Sequence, residues 1–292
     1  MKPVLRYFGS KFKAAGRIIP VMGPHTVYCE PFGGSGGVML NKYPVPIEIY
    51  NELNPRIFNL MCVLKSRDQM GELCDRIGHT EWCRENWDRA YTRVADPVED
   101  ALNVLIRSWM SFSPVGIFRD NSGYRTGAYD RDNILNGHQK IWRKLPQRIR
   151  RVHDRVQRWK MFQSNAVEAL ERVDRRYGRA VLYYVDPPYL HSTRVAKQGY
   201  DHEMSMEDHA ALLTALQRVR GQVLLSGYRN SLYETILSTP DWLIHEYRSY
   251  AAGKTGSVGR DEVLWTNYHP VGLPSQTDLF SFNHHFLQEM AL

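Results

Sequence analysis

The sequence lacks a long apolar run, a metal-binding cysteine pattern and a G-x-G-x-x-G motif. No stretch is long and apolar enough for a transmembrane helix, and the first residues show no signal-peptide pattern, so a cytoplasmic protein without a membrane partner is predicted. The four cysteines are scattered and form no C-x-x-C pair, which predicts reduced thiols and no zinc or other metal site. Without G-x-G-x-x-G, a dinucleotide ligand is not favoured.

The charge of the chain is concentrated in its middle. The 292 residues carry a formal net charge of +7, and thirteen Lys and Arg stand against four Asp between residues 101 and 160. That segment therefore has a net charge of +9, which leaves about −2 for the rest. A basic segment in a balanced chain predicts contact with a polyanion through its phosphates. An ordinary solvated helix is the alternative.

The most informative stretch is YYVDPPY at residues 183–189. Residues 180–185 are apolar, aromatic and β-branched, which predicts a buried strand. The strand must end at Asp186, because Pro187 and Pro188 offer no N–H to a sheet ladder and each restricts the residue before it. A stiff elbow is thus predicted beyond the carboxyl end of a strand, where open α/β sheets bind ligands.

The groups on this elbow suit a flat base that carries an exocyclic amine. The base can stack on Tyr189, and its two N–H groups can reach the Asp186 carboxylate and the Pro187 carbonyl. Accepting both hydrogens draws the amine out of conjugation and leaves its lone pair free to attack. The alternative is a strand that ends in a Pro-Pro turn with a solvated aspartate.

A second set of signals lies near the N-terminus. Residues 26–30 predict a buried strand, followed by the loop PFGGSGG at 31–37 and an apolar helix from Val38. Residues 45–50 predict the next strand, which ends in NELN at 51–54. Glu52 is placed to bind ribose hydroxyls, as acidic residues after the second strand do in such folds. It could equally cap the helix that begins near Pro55.

The strand–helix alternation is lost between residues 65 and 150. Helices are predicted at about 80–94 and 98–110, before a turn-rich stretch at 113–131 that predicts a hairpin around residues 121–123. Its Arg, Asn, Ser and Tyr side chains suit phosphates and base edges, although an ordinary surface loop would look similar. The other predicted elements are a strand at 161–165, a helix to about 173, a flap at 191–202, a helix at 206–219 capped by Ser205, a strand at 222–226 and an antiparallel pair at 242–250 and 262–268.

Five motifs in this order resemble the Dam-type DNA adenine-N6 methyltransferases. They are RYFGSK at 6–11, EPFGGSG at 30–36, NELN at 51–54, YVDPPY at 184–189 and RDEVLWTNY at 260–268. The resemblance covers about residues 3–270 and implies S-adenosylmethionine as the methyl donor and double-stranded DNA as the partner, with no obligate protein partner. It also implies a bacterial or phage-infected host cytoplasm. Glu52 departs from the family's usual Asp, Tyr7 from a common Trp and Ser10 from a common Gly.

The resemblance also assigns site residues by matching motifs. The cofactor pocket would contain Tyr7, Lys11, Pro31, Phe32, Gly33, Gly34, Ser35, Glu52, Asn165 and Asp186. The catalytic tetrapeptide would be Asp186, Pro187, Pro188 and Tyr189. The segment that matches least well holds our candidates for DNA contacts, Arg119, Asn121, Tyr124 and Arg125.

The implied fold is an α/β, Rossmann-like methyltransferase sheet with an inserted, mainly helical target-recognition domain that bears a hairpin. We expect residues 1–64 and 151–270 to form the catalytic domain, residues 65–150 the DNA-binding insert and residues 271–292 a tail. Methylation of cytosine N4 or of RNA adenine is a rival activity. A nucleic-acid-binding protein that keeps the fold without the chemistry is a rival of another class.

Overall fold

A single mixed sheet of seven strands organises the protein. In this computed structural model, residues 1–118, 122–126, 137–190, 203–253 and 256–270 are described. The strands are β1 (Val27–Glu30), β2 (Ile47–Asn51), β3 (Lys160–Phe162), β4 (Val181–Val185), β5 (Gln222–Gly227), β6 (Leu243–Gly253) and β7 (Gly256–Thr266). Their order is β3-β2-β1-β4-β5-β7-β6, with β7 antiparallel to both of its neighbours and the other pairs parallel.

Ten α-helices are found among the described residues, and most of them cover the two faces of the sheet. They are α1 (Ala15–Ile18), α2 (Pro55–Lys65), α3 (Arg67–His79), α4 (Arg84–Arg89), α5 (Pro97–Met110), α6 (Gly137–Arg143), α7 (Leu145–Val156), α8 (Ala166–Tyr177), α9 (Met206–Arg218) and α10 (Ser231–Ile236). Short 3-10 turns occupy Ile19–Val21, Pro114–Ile117 and Gly178–Ala180.

The inner strands β4 and β5 are largely apolar because both faces of the sheet are covered there. Tyr28, Tyr50 and Tyr184 point to one face and share a core with helices α2, α3, α5 and α7. The alternate residues, such as Cys29 and Tyr183, point to the other face and pack with α8, α9 and α10. The predicted α/β fold is confirmed at this level. The separate DNA-binding insert stays a prediction, and the helices of that segment share a core with the sheet.

Polar caps explain where several helices begin. The Asn54 side chain accepts hydrogen bonds from the backbone at the start of α2, and Asp96 does the same for α5. Ser205 and Asp208 form the predicted capping box of α9. Asn54 therefore has the capping role that position alone also allowed Glu52.

Other predicted elements differ from the structure. The helix expected from Val38 is a set of hydrogen-bonded turns, because the chain must reach β2 within a few residues. The helix expected at 80–94 is the six-residue α4, capped by Cys83. Helix α3 was not predicted, and its two glycines disfavour it, but buried Leu73 and Ile77 anchor it in the core. β6 and β7 extend into the segment expected to be their loop.

Several basic residues of the middle segment are part of the fold rather than of a surface. Arg155 is buried on α7, where its guanidinium pairs with Glu48 of β2 and donates to the Met39 carbonyl. Lys42 completes the cluster, with Nζ 3.2 Å from Glu48 Oε1. Arg107 is also buried and donates to the Gly116 carbonyl. The count of basic residues therefore overstates the charge available to a polyanion.

Candidate active site

Three loops meet at one edge of the sheet. The glycine-rich loop follows β1, Glu52 follows β2 and Asp186 follows β4. These three strands are adjacent and parallel, so their carboxyl ends lie at the same edge. β1 lies between β2 and β4, and the order of the strands along the chain reverses there, which is where such sheets form a ligand crevice.

The glycine loop is packed so closely that side chains would not fit. A Cβ on Gly33 would lie 2.2 Å from the ring of Tyr50. Gly34 has a φ of +49°, which favours glycine, and a Cβ on Gly34 would lie close to the ring of Tyr7. The Tyr50 hydroxyl donates to the Gly34 carbonyl at 2.7 Å. Asn51 Nδ2 donates to the carbonyl of Pro31, which begins the loop. The loop conformation is thus held by β2.

Glu52 joins the glycine loop to its own turn. Its Oε2 accepts from the Gly34 N–H at 2.7 Å, and its Oε1 accepts from the Asn54 N–H at 2.8 Å. Beside it, the Ser35 and Ser10 hydroxyls are 2.8 Å apart, so the N-terminal segment also reaches the loop. The sequence signals of residues 6–11, 30–36 and 51–54 therefore lie in one place.

Two other predicted cofactor residues are Phe32, within the glycine loop, and Asn165, at the start of α8. Phe32 is partly buried and packs against the core on the other face of the sheet. Asn165 is exposed and caps α8 by accepting from the Val167 N–H at 2.8 Å. The preceding residue, Ser164, contacts Asn51, which in turn contacts the glycine loop. A contact between Asn165 and a ligand stays a prediction.

Two of the predicted catalytic residues, Asp186 and Tyr189, contact Lys11. Lys11 Nζ is 2.8 Å from Asp186 Oδ1 and 4.5 Å from the centre of the Tyr189 ring. The Tyr189 ring makes an edge contact with Tyr228 at 4.8 Å. The Asp186 side chain is 17% exposed, so it can be reached from the crevice. The Asp186 carboxylate and the face of the Tyr189 ring thus enclose the Lys11 ammonium. The Asp-Pro-Pro-Tyr motif predicts the same arrangement around the amine of a ligand.

Glu262 of β7 is a second carboxylate at this site. Its Oε2 accepts from the Tyr247 hydroxyl at 2.8 Å and from the Tyr189 hydroxyl at 3.2 Å, and lies 3.9 Å from Lys11 Nζ. Sequence reasoning placed Glu262 in a matching motif but assigned it no role. The available signal was a glutamate inside an apolar strand pattern, because a buried carboxylate needs partners.

Burial changes the acidity of the carboxyl groups in this region. It raises the pKa of Asp186 above its ordinary value, although the neighbouring Lys11 ammonium opposes the change. Burial also raises the pKa of Glu30, at the end of β1, to about 8. The Tyr28 hydroxyl donates to Glu30 at 2.8 Å, and the nearby Asp186 carboxylate adds to the increase in pKa.

The raised pKa of Glu30 predicts how stability depends on pH. The folded chain holds a proton on Glu30 up to about pH 8, whereas the unfolded chain releases it near 4.5. The stability that this bound proton contributes to the folded chain is complete below pH 4.5 and is lost as pH rises toward 8. In that range the free energy of unfolding should fall by up to about 1.4 kcal/mol per pH unit. We expect Glu30→Gln to reduce the slope of the free energy of unfolding against pH, as measured by urea unfolding over about two pH units, from about 5.5 to about 7.5. The exposed Glu81→Gln should keep the wild-type slope, and an unchanged slope in Glu30→Gln would contradict the assignment.

The predicted DNA-contact residues are only partly described. Arg119 and Asn121 lie outside the described residues, as does the flap at 191–202. The Arg125 guanidinium donates to the Phe112 carbonyl at 2.6 Å and lies 5.3 Å from the Phe112 ring. The Tyr124 hydroxyl faces the Trp82 carbonyl at 3.4 Å, and a single bridge joins Tyr124 to Ser111. Phe112 is 70% exposed at this point, and sequence reasoning did not single it out.

Solved structures give weak likenesses. A Streptomyces viridochromogenes rRNA methyltransferase, aviRa, matches with a TM-score of 0.39 and 13% identity over 89% of this chain and 84% of that one. A precorrin 8W decarboxylase from Methanobacterium thermoautotrophicum matches with a TM-score of 0.35 and 9% identity over 87% of this chain and 88% of that one. These TM-scores are too low to establish a shared fold.

Sequence comparisons are more specific. The chain is 24% identical over 283 residues to the modification methylase LlaI of Lactococcus lactis subsp. lactis. That alignment covers 92% of this chain and 44% of the methylase, so the chain spans less than half of this relative. The family model for D12 class N6 adenine-specific DNA methyltransferases matches residues 7–249. The match confirms the resemblance inferred from the motifs, and the chain belongs to the D12 class N6 adenine-specific DNA methyltransferases.

Proposed function

We propose that the protein transfers a methyl group from S-adenosylmethionine to the N6 amine of a flipped adenine in duplex DNA. The observation that carries this proposal is the position of the Lys11 ammonium. It lies between the Asp186 carboxylate, at 2.8 Å, and the Tyr189 ring, at 4.5 Å. The same two groups could hold a base amine by accepting its hydrogens and covering the base. The family match supports adenine as that base.

The crevice also has the features that the methyl donor requires. Gly33 and Gly34 lie against the Tyr50 and Tyr7 rings, which fix the shape of the loop at the carboxyl end of β1 where a ligand would bind. We infer that Glu52 binds the ribose hydroxyls. A carboxylate has about four acceptor sites, so its contacts with the Gly34 and Asn54 N–H groups do not preclude others. The other proposed cofactor contacts are Tyr7, Lys11, Pro31, Phe32, Ser35, Asn165 and Asp186.

The donor would supply an electrophilic methyl on a sulfonium, and the protein would position the amine. Asp186 accepts one amine hydrogen, the Pro187 carbonyl accepts the other and Tyr189 stacks on the base. The nitrogen gains positive charge as the new bond forms, and the Asp186 carboxylate stabilises that charge. Catalysis is then mainly orientation and electrostatics, with the proton lost after methyl transfer. Flipping the base costs roughly a few kcal/mol, which contacts with the DNA must offset.

Helices α6 and α7 and the residues after them offer a basic surface for the phosphates. The exposed basic side chains there are Lys140, Arg143, Lys144, Arg150, Arg151, Arg158 and Lys160. Neutralising phosphates releases counterions, so this part of the affinity should fall as salt rises. We propose that residues 65–150 form the target-recognition part and that Tyr124, Arg125, Arg119 and Asn121 contact DNA there. Base readout would be added to this sequence-blind attraction.

The test is transfer of labelled methyl from S-adenosylmethionine to unmethylated duplex DNA, followed by nucleoside analysis. We expect the label in N6-methyladenine, with lower activity at high salt. Label in N4-methylcytosine would replace adenine by cytosine as the target. Label only in an RNA duplex of the same sequence would replace DNA by RNA. No label, together with salt-sensitive DNA binding, would favour the binding protein without chemistry.

A further inference from the structure

The geometry points to Glu262 as a positioning residue for methyl transfer. We propose that Glu262 accepts the Lys11 ammonium when the target amine takes its place at Asp186, and that it holds Tyr189 in position through the tyrosine hydroxyl. This inference rests on the proposed function, since it needs an amine at Asp186. Glu262 itself does not touch the reacting atoms.

Lys11 stands where the target amine must go. Its Nζ is 2.8 Å from Asp186 Oδ1 and 4.5 Å from the centre of the Tyr189 ring. Lys11 is also buried, with 9% of its side chain exposed. An incoming amine that approaches Asp186 across the same ring would compete with this ammonium for the carboxylate, so Lys11 must move when the base is captured.

When Lys11 moves away from Asp186, Glu262 is a second carboxylate close enough to accept its ammonium. Removing one partner of a buried ion pair is strongly destabilising, because the other charge stays desolvated. Glu262 Oε2 lies 3.9 Å from Lys11 Nζ. A shift of about 1 Å would bring the ammonium to normal hydrogen-bond distance from this oxygen. Glu262 is itself buried, with 11% of its side chain exposed, so the new pair would be protected from solvent.

Glu262 also contacts the base-stacking residue Tyr189. The hydroxyls of Tyr189 and Tyr247 donate to the same Glu262 oxygen, at 3.2 Å and 2.8 Å. Tyr247 is directly opposite Glu262 in the β6–β7 ladder, so the carboxylate is anchored on a regular part of the sheet. Glu262 thereby fixes the far end of the Tyr189 ring. The ring can then stay in place while the cation above it is exchanged for a base.

The test separates the charge of Glu262 from its shape. Glu262→Gln keeps the length and one oxygen acceptor for the tyrosine hydroxyls but removes the charge. Glu262→Asp keeps the charge and shortens the side chain. If Glu262 receives Lys11, Gln should be the more damaging change. If Glu262 only supports the packing of β6 and β7, Asp should be the more damaging one. Thermal unfolding of both variants checks that each is folded.

The readout is single-turnover methyl transfer at saturating DNA and S-adenosylmethionine. For Glu262→Gln we expect a rate about ten-fold lower, which corresponds to about 1.4 kcal/mol of activation free energy. The affinity for S-adenosylmethionine should stay within about two-fold of wild type. Tyr247→Phe, which removes a hydroxyl contact but no charge, should lower the rate by less than about three-fold. In a Lys11→Met background, Glu262→Gln should have little further effect, because the lysine that it serves is gone.

Several outcomes would overturn the inference. They are a wild-type rate in Glu262→Gln, a greater loss in Glu262→Asp than in Glu262→Gln, and a full additional loss in the Lys11→Met background. All three require an active wild type. Failure of the wild type to methylate any nucleic acid would instead overturn the proposed function, so the two failures are distinguishable.

Discussion

Replacing Asp186 with asparagine is expected to slow methyl transfer by about 10²–10³-fold, with DNA affinity close to wild type. The amide has nearly the same shape as the carboxylate and keeps an oxygen acceptor, but it lacks the negative charge that would stabilise the nitrogen as it gains positive charge. Asp186→Ala removes the acceptor as well and should be slower still. Single-turnover transfer of labelled methyl at saturating substrates measures both effects.

The control for Asp186→Asn is the same substitution at Asp261, which directly precedes Glu262. Asp261 is 82% exposed, and its carboxylate is 4.0 Å from the exposed Arg248, so Asp261→Asn should have the wild-type rate. Salt-dependent DNA binding and thermal unfolding should be measured for both variants. A near wild-type rate in folded Asp186→Asn would show that the carboxylate charge is not used in catalysis.

The raised pKa of Asp186 adds a dependence on pH to the same experiment. Only the ionised carboxylate has the negative charge that stabilises the amine nitrogen as it gains positive charge. Because burial raises the pKa of Asp186, the wild-type rate should begin to fall at a higher pH than the ordinary value of 3.8 would give. The residual activity of Asp186→Asn should lack that acidic limb.

The sequence predicted those parts of the site whose structure is determined by local covalent geometry. Two prolines after an apolar strand determine where β4 ends. The glycines after β1 are needed because the loop packs closely, so that a Cβ on Gly33 would clash with Tyr50. Parallel strands then place both loops at one edge without further information. For this reason the neighbourhood of Asp186, Glu52 and the glycine loop followed from pattern alone.

Features that depend on distant partners did not follow from the sequence. Glu262 reaches Tyr189 across 73 residues of chain, and Arg155 reaches Glu48 across 107. Nothing local distinguishes a buried arginine from an exposed one on a basic helix, so Arg155 was counted with the surface charge. Helix α3 has two glycines that weaken it locally, and only its packing against α2, α5 and α7 explains it.

Replacing Arg155 with methionine is expected to lower the free energy of unfolding by about 3–5 kcal/mol. The change leaves Glu48 buried with Lys42 as its remaining ion-pair partner among the described residues, and it removes the donor to the Met39 carbonyl. Met39 follows the glycine loop, so a weaker hold on this segment should also reduce affinity for S-adenosylmethionine. Urea unfolding measures the first effect and calorimetric titration with S-adenosylmethionine the second.

Two comparisons establish whether the effect comes from the buried charge. Arg151→Met removes an exposed basic side chain from the same helix and should change stability by less than about 0.5 kcal/mol. Combining Arg155→Met with Glu48→Gln should lower the stability further, because it also takes the carboxylate partner from the buried Lys42 ammonium. If Arg155→Met and Arg151→Met unfold at the same urea concentration, the Arg155–Glu48 pair does not stabilise the fold. The link from α7 through β2 to the cofactor loop would then have to be abandoned.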